Sequence, residues 1–383
     1  MFKSGSIDII QFGKSRIVKC LFLILFIQVP LCSFSREGDS TSVARTGKIR
    51  IAGYPAGGYA PETSIQLGAA GVLLLPLQET DSQRYMRPAT LNQFFLFTFR
   101  RQFISAVKSD FYFHNQTYLN LNLRYFNYPD IYFGTGNSPE TAGEKFTDDF
   151  YKIDFIYSWI IKEHTFAGLT ALWEDDRLSG FENGGKLSTD RVEGYEGGRL
   201  FGAGPYYRYD TRDNILNPSR GNYIELQALI YPRGYVSDYS FTNIRLDTRF
   251  YKTVFSDKNV LAVQVYYNST VGPRIPFYML PRLGGESRLR GIMHENFYRD
   301  RNAAYIQAEA RRHLFGRFGC VVFVGAGEVS HAIPEFTFRN IKYVFGVGGR
   351  FQPFRDEKLN LRLDIGKGPA DQHAVYLSVL EAF

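Results

Sequence analysis

The residues best able to do chemistry are thinly spread along this chain. A metal hydrolase holds its ion with histidines at close helical spacing or clustered with acids. The six histidines here (His114, His164, His294, His313, His331 and His373) are scattered, with no His-x-x-x-His pair. No metal and no cofactor is therefore expected. A common esterase presents its serine on a Gly-x-Ser-x-Gly elbow, and none occurs. A lipase built into a barrel would combine Ser and His from neighbouring strands. His313 and Ser330 fall on adjacent segments, but chance spacing accounts for them. The stretch Gly180-Phe181-Glu182-Asn183-Gly184-Gly185-Lys186-Leu187 nearly makes a phosphate loop. It lacks Ser or Thr after Lys186, a Val-rich strand before it and a helix after it, so it reads as a mobile external loop. Asn115-Gln116-Thr117 fits a glycosylation acceptor and reads as a polar turn. An enzyme is not expected.

The elements that would position any site are strands. Among 383 residues, 44% are hydrophobic, 22% charged and 16% aromatic, with 34 Phe, 26 Tyr and 36 Gly. Aromatics favour strands and Gly supplies turns. Period-two alternation recurs throughout. Leu119, Leu121, Leu123 and Tyr125 alternate with Asn120, Asn122 and Arg124. Leu359, Leu361, Leu363 and Ile365 alternate with Asn360, Arg362 and Asp364. Successive strand side chains point to opposite faces, so each segment has one apolar and one polar face. About sixteen such segments are predicted, near 48–55, 62–77, 89–101, 102–113, 117–127, 147–162, 164–176, 198–210, 220–231, 239–254, 258–272, 301–314, 317–329, 338–352, 357–367 and 373–383. No helical period and no linker interrupts them.

Residues 1–35 read as an address. Lys14, Arg16 and Lys19 precede the apolar run Cys20–Val29, the pattern of a secretory signal. The run is shorter than the roughly 20 residues that span a bilayer. Ser33 and Ser35 suit cleavage after Ser35; a retained anchor and a lipidated Cys32 are the alternatives. Residues 36–47 form a short polar segment ahead of a single domain, 48–383. Formal charge is +7, of which the leader carries +3. The remaining excess is too weak to argue for nucleic acid. Once the leader is gone, Cys320 is the secure cysteine and no disulfide scaffold exists.

Alternation alone does not say which face meets water. A soluble sandwich turns its polar face out; a transmembrane barrel turns its apolar face to lipid. Export, the unbroken run of strands and a last strand closing on Phe383 favour a barrel. A terminal aromatic is similar to the sorting signal of bacterial outer-membrane barrels. Sheet edges cannot stay unpaired in lipid, so the sheet must close. The expected fold is all-β: one transmembrane antiparallel barrel of about sixteen strands in the bacterial outer membrane.

Several stretches then resemble the outer-membrane bacterial surface antigen superfamily, that of barrel-assembly factors and two-partner secretion translocators. Asp210-Thr211-Arg212-Asp213, with Pro218 and Gly221, looks like its mid-barrel strand and turn. Gly284–Gly291, ending Leu289-Arg290-Gly291, looks like its long-loop signature. Glu309 and Arg311 fit the strand that follows; Leu361–Gly366 and Glu381–Phe383 fit the closing strands. The resemblance implies that the loop folds into the lumen and that Arg290, beside Gly291, meets acids on the inner wall, with Asp364 the foremost partner and Glu309, Arg311 and Arg362 nearby. It departs from the family at Ile292, which replaces an aromatic, and at Gly325, where the family often has an acid. Glu328 is the substitute considered, in a different alternation phase.

The resemblance implies a barrel that moves or inserts polypeptide or lipid, through its plugged interior or a seam between first and last strands. Family members with that role carry polypeptide-transport-associated domains, and others follow a patatin-like domain; neither is seen here. The expected partners are outer-membrane lipid and a periplasmic protein or a second copy of the chain. A passive solute channel constricted by loop 273–300, and a structural or adhesive surface protein, are the alternatives.

Overall fold

The computed structural model describes residues 49–60, 64–75, 89–113, 115–140, 142–353 and 358–383. The leader, its cleavage site, Cys32, the 36–47 segment and His114 lie outside these residues.

Sixteen strands close into one antiparallel barrel in sequence order. They are β1 Arg50–Ala60, β2 Ser64–Leu75, β3 Ala89–Thr98, β4 Phe103–Phe113, β5 Thr117–Tyr132, β6 Glu144–Lys162, β7 Thr165–Ser179, β8 Gly198–Asp210, β9 Gly221–Tyr231, β10 Ser240–Thr253, β11 Asn259–Arg274, β12 Asn302–Phe315, β13 Phe318–Ser330, β14 Lys342–Phe351, β15 Leu361–Lys367 and β16 His373–Val379. Alternation sets the faces. On β15, Leu361, Leu363 and Ile365 point outward and exposed, while Arg362 and Asp364 point inward and buried. Outward Val322 and Val324 alternate in the same way with inward Val321 and Phe323 on β13. Lipid would cover the first set.

Aromatic rings mark the edges of the apolar band, as girdles do at membrane interfaces. Phe97, Phe103, Tyr125 and Tyr151 form a chain of ring contacts across β3 to β6, with centroids 4.8, 5.9 and 4.7 Å apart. At the opposite rim Phe315, Phe318 and Phe351 do likewise at 5.7 and 5.2 Å. The longest connections between described strands, 180–197 and 275–301, stand at the first end and the shortest, 163–164 and 316–317, at the second, so the first is the outer end. Strands β5, β6 and β7 run beyond the girdle and exceed their expected lengths. There Asp149, Asp175 and Arg177 face outward, so both faces are polar and alternation no longer marks the strand.

The closure is thin. Neighbouring strands elsewhere align over many residues, but β1 and β16 share one aligned pair among the described residues, Tyr59 with Leu377. The backbones approach closely there: a Cβ on Gly58 would stand 2.7 Å from the Leu377 carbonyl oxygen. The last strand also ends early. Leu380 takes φ +71° and turns the chain off the sheet, so the expected strand to Phe383 stops at Val379. Glu381, Ala382 and Phe383 fold into the lumen instead.

Candidate functional site

The long loop 275–301 leaves β11 at the outer end, descends inside the barrel and climbs to β12. Its tip carries the charge cluster. Arg290 is fully buried. Its Nη1 donates to Asp364 Oδ2 at 2.5 Å and its Nη2 donates to Glu309 Oε1. Its guanidinium lies 3.9 Å from the Phe323 ring centroid. Asp364 also accepts from Arg350 Nη1 at 2.5 Å and Arg362 Nη1 at 3.2 Å. Glu309 accepts from Arg311 Nε at 2.8 Å. Four guanidiniums thus meet Glu309, Asp364 and Glu381, the last through Arg350 Nε at 2.8 Å. One N–H group on each of Arg290, Arg311, Arg350 and Arg362 has no partner. Such planar forks suit paired carboxylates.

Small residues let the loop reach the wall. Gly291 has φ +134°, and a Cβ on it would stand 2.6 Å from the Lys367 carbonyl oxygen. Leu289 is fully buried and seats over β13: a Cβ on Gly325 would stand 2.6 Å from Leu289 Cδ2. This explains the missing acid at Gly325, since any side chain there would displace Leu289. Ile292, also fully buried, packs with Leu283, Leu289 and Tyr298. Its carbonyl accepts from Tyr376 Oη at 3.0 Å. An aliphatic side chain thus fills the space where the family signature has an aromatic.

Glu328 is elsewhere. It pairs in register with Ala304, whereas Glu309 pairs with Phe323, which puts Glu328 five residues nearer the outer rim. There its Oε2 accepts from the Phe338 amide at 3.3 Å. Its different alternation phase does not keep it outside; distance along the strand separates it from Arg290. The Asp210 motif builds an inner turn. Arg212 grips Asp210 through Nε and Nη2 at 2.9 and 3.0 Å. Asp213 accepts the Ser219 and Arg220 amides at 2.8 and 3.2 Å and so builds the inner turn 211–220. Burial opposes its ionisation, but the Ser219 hydroxyl, those amides and Lys358 hold its carboxyl below the usual range.

Two holds on the loop had no signal in sequence. Near the outer rim Asn296 donates to Asp130, while Arg282 reaches Glu295 and Asn296 at 2.6 and 2.7 Å. Arg299 is buried 5.5 Å from the Phe277 ring centroid, and its carbonyl accepts the Gly136 amide at 2.7 Å. Near the inner rim the tail joins the cluster. Glu381 accepts from Asn360 Nδ2 at 2.7 Å, and the Phe383 carbonyl accepts from Arg311 Nη2 at 3.0 Å. The Phe383 ring packs with Tyr251 and Ala262, away from the lipid face expected for a strand-borne terminal aromatic.

The enzymatic alternatives do not assemble. His313 pairs with Gly319 and Ser330 with Asn302, at opposite ends of β12 and β13. The glycine-rich stretch does lead into a short helix, α1 Lys186–Thr189, contrary to expectation. Its first amides are taken by Glu144, at 2.6 Å to Lys186 N and 2.9 Å to Leu187 N, so a carboxylate already occupies the place a phosphate would need. Among the described residues no group of three His, Cys, Asp or Glu is placed to hold a metal ion.

A closed sixteen-stranded barrel with an arginine-tipped loop in its lumen defines an integral β-barrel of the bacterial outer membrane. The Omp85 superfamily domain matches residues 92–350, and the chain belongs to that superfamily. Among solved structures it is similar to BamA from Haemophilus ducreyi lacking POTRA domains 1–3, with TM-score 0.57, 14% identity, and 90% of this chain and 71% of that one covered. CdiB from Escherichia coli gives 0.54 at 12% identity, covering 89% and 69%. CdiB from Acinetobacter baumannii gives 0.52 at 12%, covering 87% of this chain but 65% of that one, just under two thirds. At these identities the likeness is one of fold. No curated protein sequence matches the chain.

Proposed function

We propose that this barrel takes part in inserting or translocating polypeptide or lipid at the outer membrane, with Arg290 and Gly291 at the tip of a loop that closes the lumen. The observation that carries the reading is the full burial of Arg290 against Glu309 and Asp364, in a barrel whose β1 and β16 share one aligned pair among the described residues. The loop blocks the axial path, and the thin seam is the weakest place for a lateral one. Membership of the Omp85 superfamily supports translocation over adhesion. In this reading a periplasmic protein or a second copy of the barrel presents the moving chain to the inner mouth.

A specific observation favours a second reading, the solute channel. A cavity of about 1030 Å³ remains beside the loop, lined by both polar and apolar residues of β1 to β7, β9 to β11 and β16.

The test is insertion of an unfolded outer-membrane barrel into vesicles carrying this protein. A Tyr59→Cys/Leu377→Cys disulfide would staple the seam. The proposal expects protease-protected client only with the unstapled or reduced barrel. Equal insertion by stapled barrels, or none above empty vesicles in either state, would contradict it.

A further inference from the structure

A transmembrane barrel turns polar residues to its lumen, but one stretch of the inner wall here is apolar. Ala56, Gly68, Leu96, Ile104, Phe126 and Phe150 stand opposite one another in an unbroken row across β1 to β6. Their sequence neighbours Leu67, Phe95 and Phe97 are exposed on the outer face, so the row points inward. All of the row but Gly68 lines the cavity beside the loop. The rings of Phe126 and Phe150 stack at 4.9 Å, and Met279 and Leu280 of the loop add apolar surface to the same cavity.

The row begins at the seam. Tyr59 and Leu377 are the one aligned pair of β1 and β16 among the described residues, and Ala56 lies beyond it. Leu377 and Val379 line the cavity beside Ala56, while Tyr59 and Leu377 are exposed where lipid would lie. A contiguous apolar patch facing water marks a binding surface. This one runs to the place where the wall meets the bilayer most thinly.

Its chemistry favours hydrocarbon over polypeptide. Along the row β2 to β5 are paired on both sides, so they offer an entering chain no free N–H or C=O. A peptide pressed against the row would bury its own backbone groups unpaired, which is costly. An acyl chain has no such groups.

A cation stands at one side of the row. Lys108 lies four residues from Ile104 on the same inward face of β4, about 13 Å along the strand. It lines the cavity and is exposed to it. It makes no hydrogen bond or ion pair among the described residues. Its cross-strand neighbours are Asn92 and Asn122. The acids nearby are engaged: Asp110 accepts from Thr90, Tyr118 and Asn120, and Asp154 is held by Arg124. A free ammonium suits a phosphate oxygen, with which it forms a charge-assisted hydrogen bond.

We propose that this row and Lys108 form a site in the lumen for an anionic phospholipid, whose acyl chain lies along the row and whose phosphate meets Lys108. The site rests on the lipid branch of the proposed function and names its substrate class. Occupancy can be read without insertion of any client, so either reading can fail alone.

Photocrosslinking tests it, with the barrel in phosphatidylcholine vesicles that carry a trace of radiolabelled dioleoylphosphatidate. Benzoylphenylalanine is placed at Phe126 in the row, at Phe97 on the lipid face or at Tyr266 on the far wall of the cavity, each in a barrel that migrates as folded. The expected result is capture of phosphatidate at the Phe97 and Phe126 positions and little at Tyr266. Lys108→Gln should lower capture at the Phe126 position at least about tenfold, or 1.4 kcal/mol, and leave capture at Phe97 unchanged. Excess inorganic phosphate should compete at neither position, since the acyl chain supplies the hold on the row. No capture at Phe126 beside normal capture at Phe97, capture at Phe126 that ignores Lys108→Gln, or equal capture at Tyr266 would overturn the proposal. So would capture of a radiolabelled unfolded barrel protein at Phe126 in place of the lipid when both are present.

Discussion

Replacing Arg290 should free the loop by a calculable amount. Its guanidinium is fully buried between Asp364 and Glu309, so solvent screening does not soften the loss. Breaking a buried pair costs about 3–5 kcal/mol, mainly through the charges left behind. Here those charges keep partners: without Arg290, the guanidiniums of Arg311, Arg350 and Arg362 still face Glu309, Asp364 and Glu381. The cost of Arg290→Ala then falls at the low end, about 3 kcal/mol, or roughly 140-fold in the docked-to-undocked ratio. Asp364→Asn should be worse, near 5 kcal/mol, because it leaves four arginines with two carboxylates. The assay is maleimide labelling of Leu289→Cys in a Cys320→Ser background, since Leu289 is fully buried over Gly325. Labelling should accelerate roughly 100-fold with Arg290→Ala and further with Asp364→Asn. Rates unchanged within about twofold, the scatter of neutral substitutions, would refute the reasoning.

Other expectations follow from the same geometry. Gly325→Asp, which restores the acid common in the family, should expel Leu289 and raise loop labelling, because its Cβ would fall 2.6 Å from Leu289 Cδ2; overpacking of this kind costs about 1–3 kcal/mol, readable by urea unfolding. Phe383→Ala should cost about 3 kcal/mol as a buried aromatic truncation, and should also speed Leu289→Cys labelling if the tail steadies Arg311. The turn 211–220 should loosen in acid. Asp213 has its folded pKa below the ordinary carboxylate value, so its contribution is present above about pH 4 and is lost as pH falls through the folded value. Hydrogen exchange at the Ser219 and Arg220 amides should rise there, and Asp213→Asn should abolish the pH dependence.

The barrel was legible because lipid and lumen impose opposite demands on alternate residues. That rule located all sixteen strands, and failed at the ends for physical reasons. Above the outer girdle both faces of β5 to β7 are wet, so alternation stops while hydrogen bonding continues. At β16, Leu380 leaves the sheet because Glu381 finds Arg350 and Asn360 inside, a contact that no local pattern announces. The loop tip was legible through resemblance, since Leu289-Arg290-Gly291 and the inward Glu309 and Asp364 stand in the family's motifs. Glu328 misled because position along the barrel axis cannot be read from alternation phase. Asp130, Asn296 and Arg299 meet only after the chain has crossed the lumen, over sequence separations that spacing does not encode.

The central claim is that Arg290 holds the loop as a closure. Planar-bilayer conductance of the refolded barrel beside its Arg290→Ala variant tests it most directly. A quiet or briefly flickering wild type and a persistently conducting variant is the predicted result. Large, steady and equal currents from both would contradict the closure and leave the barrel a passive channel.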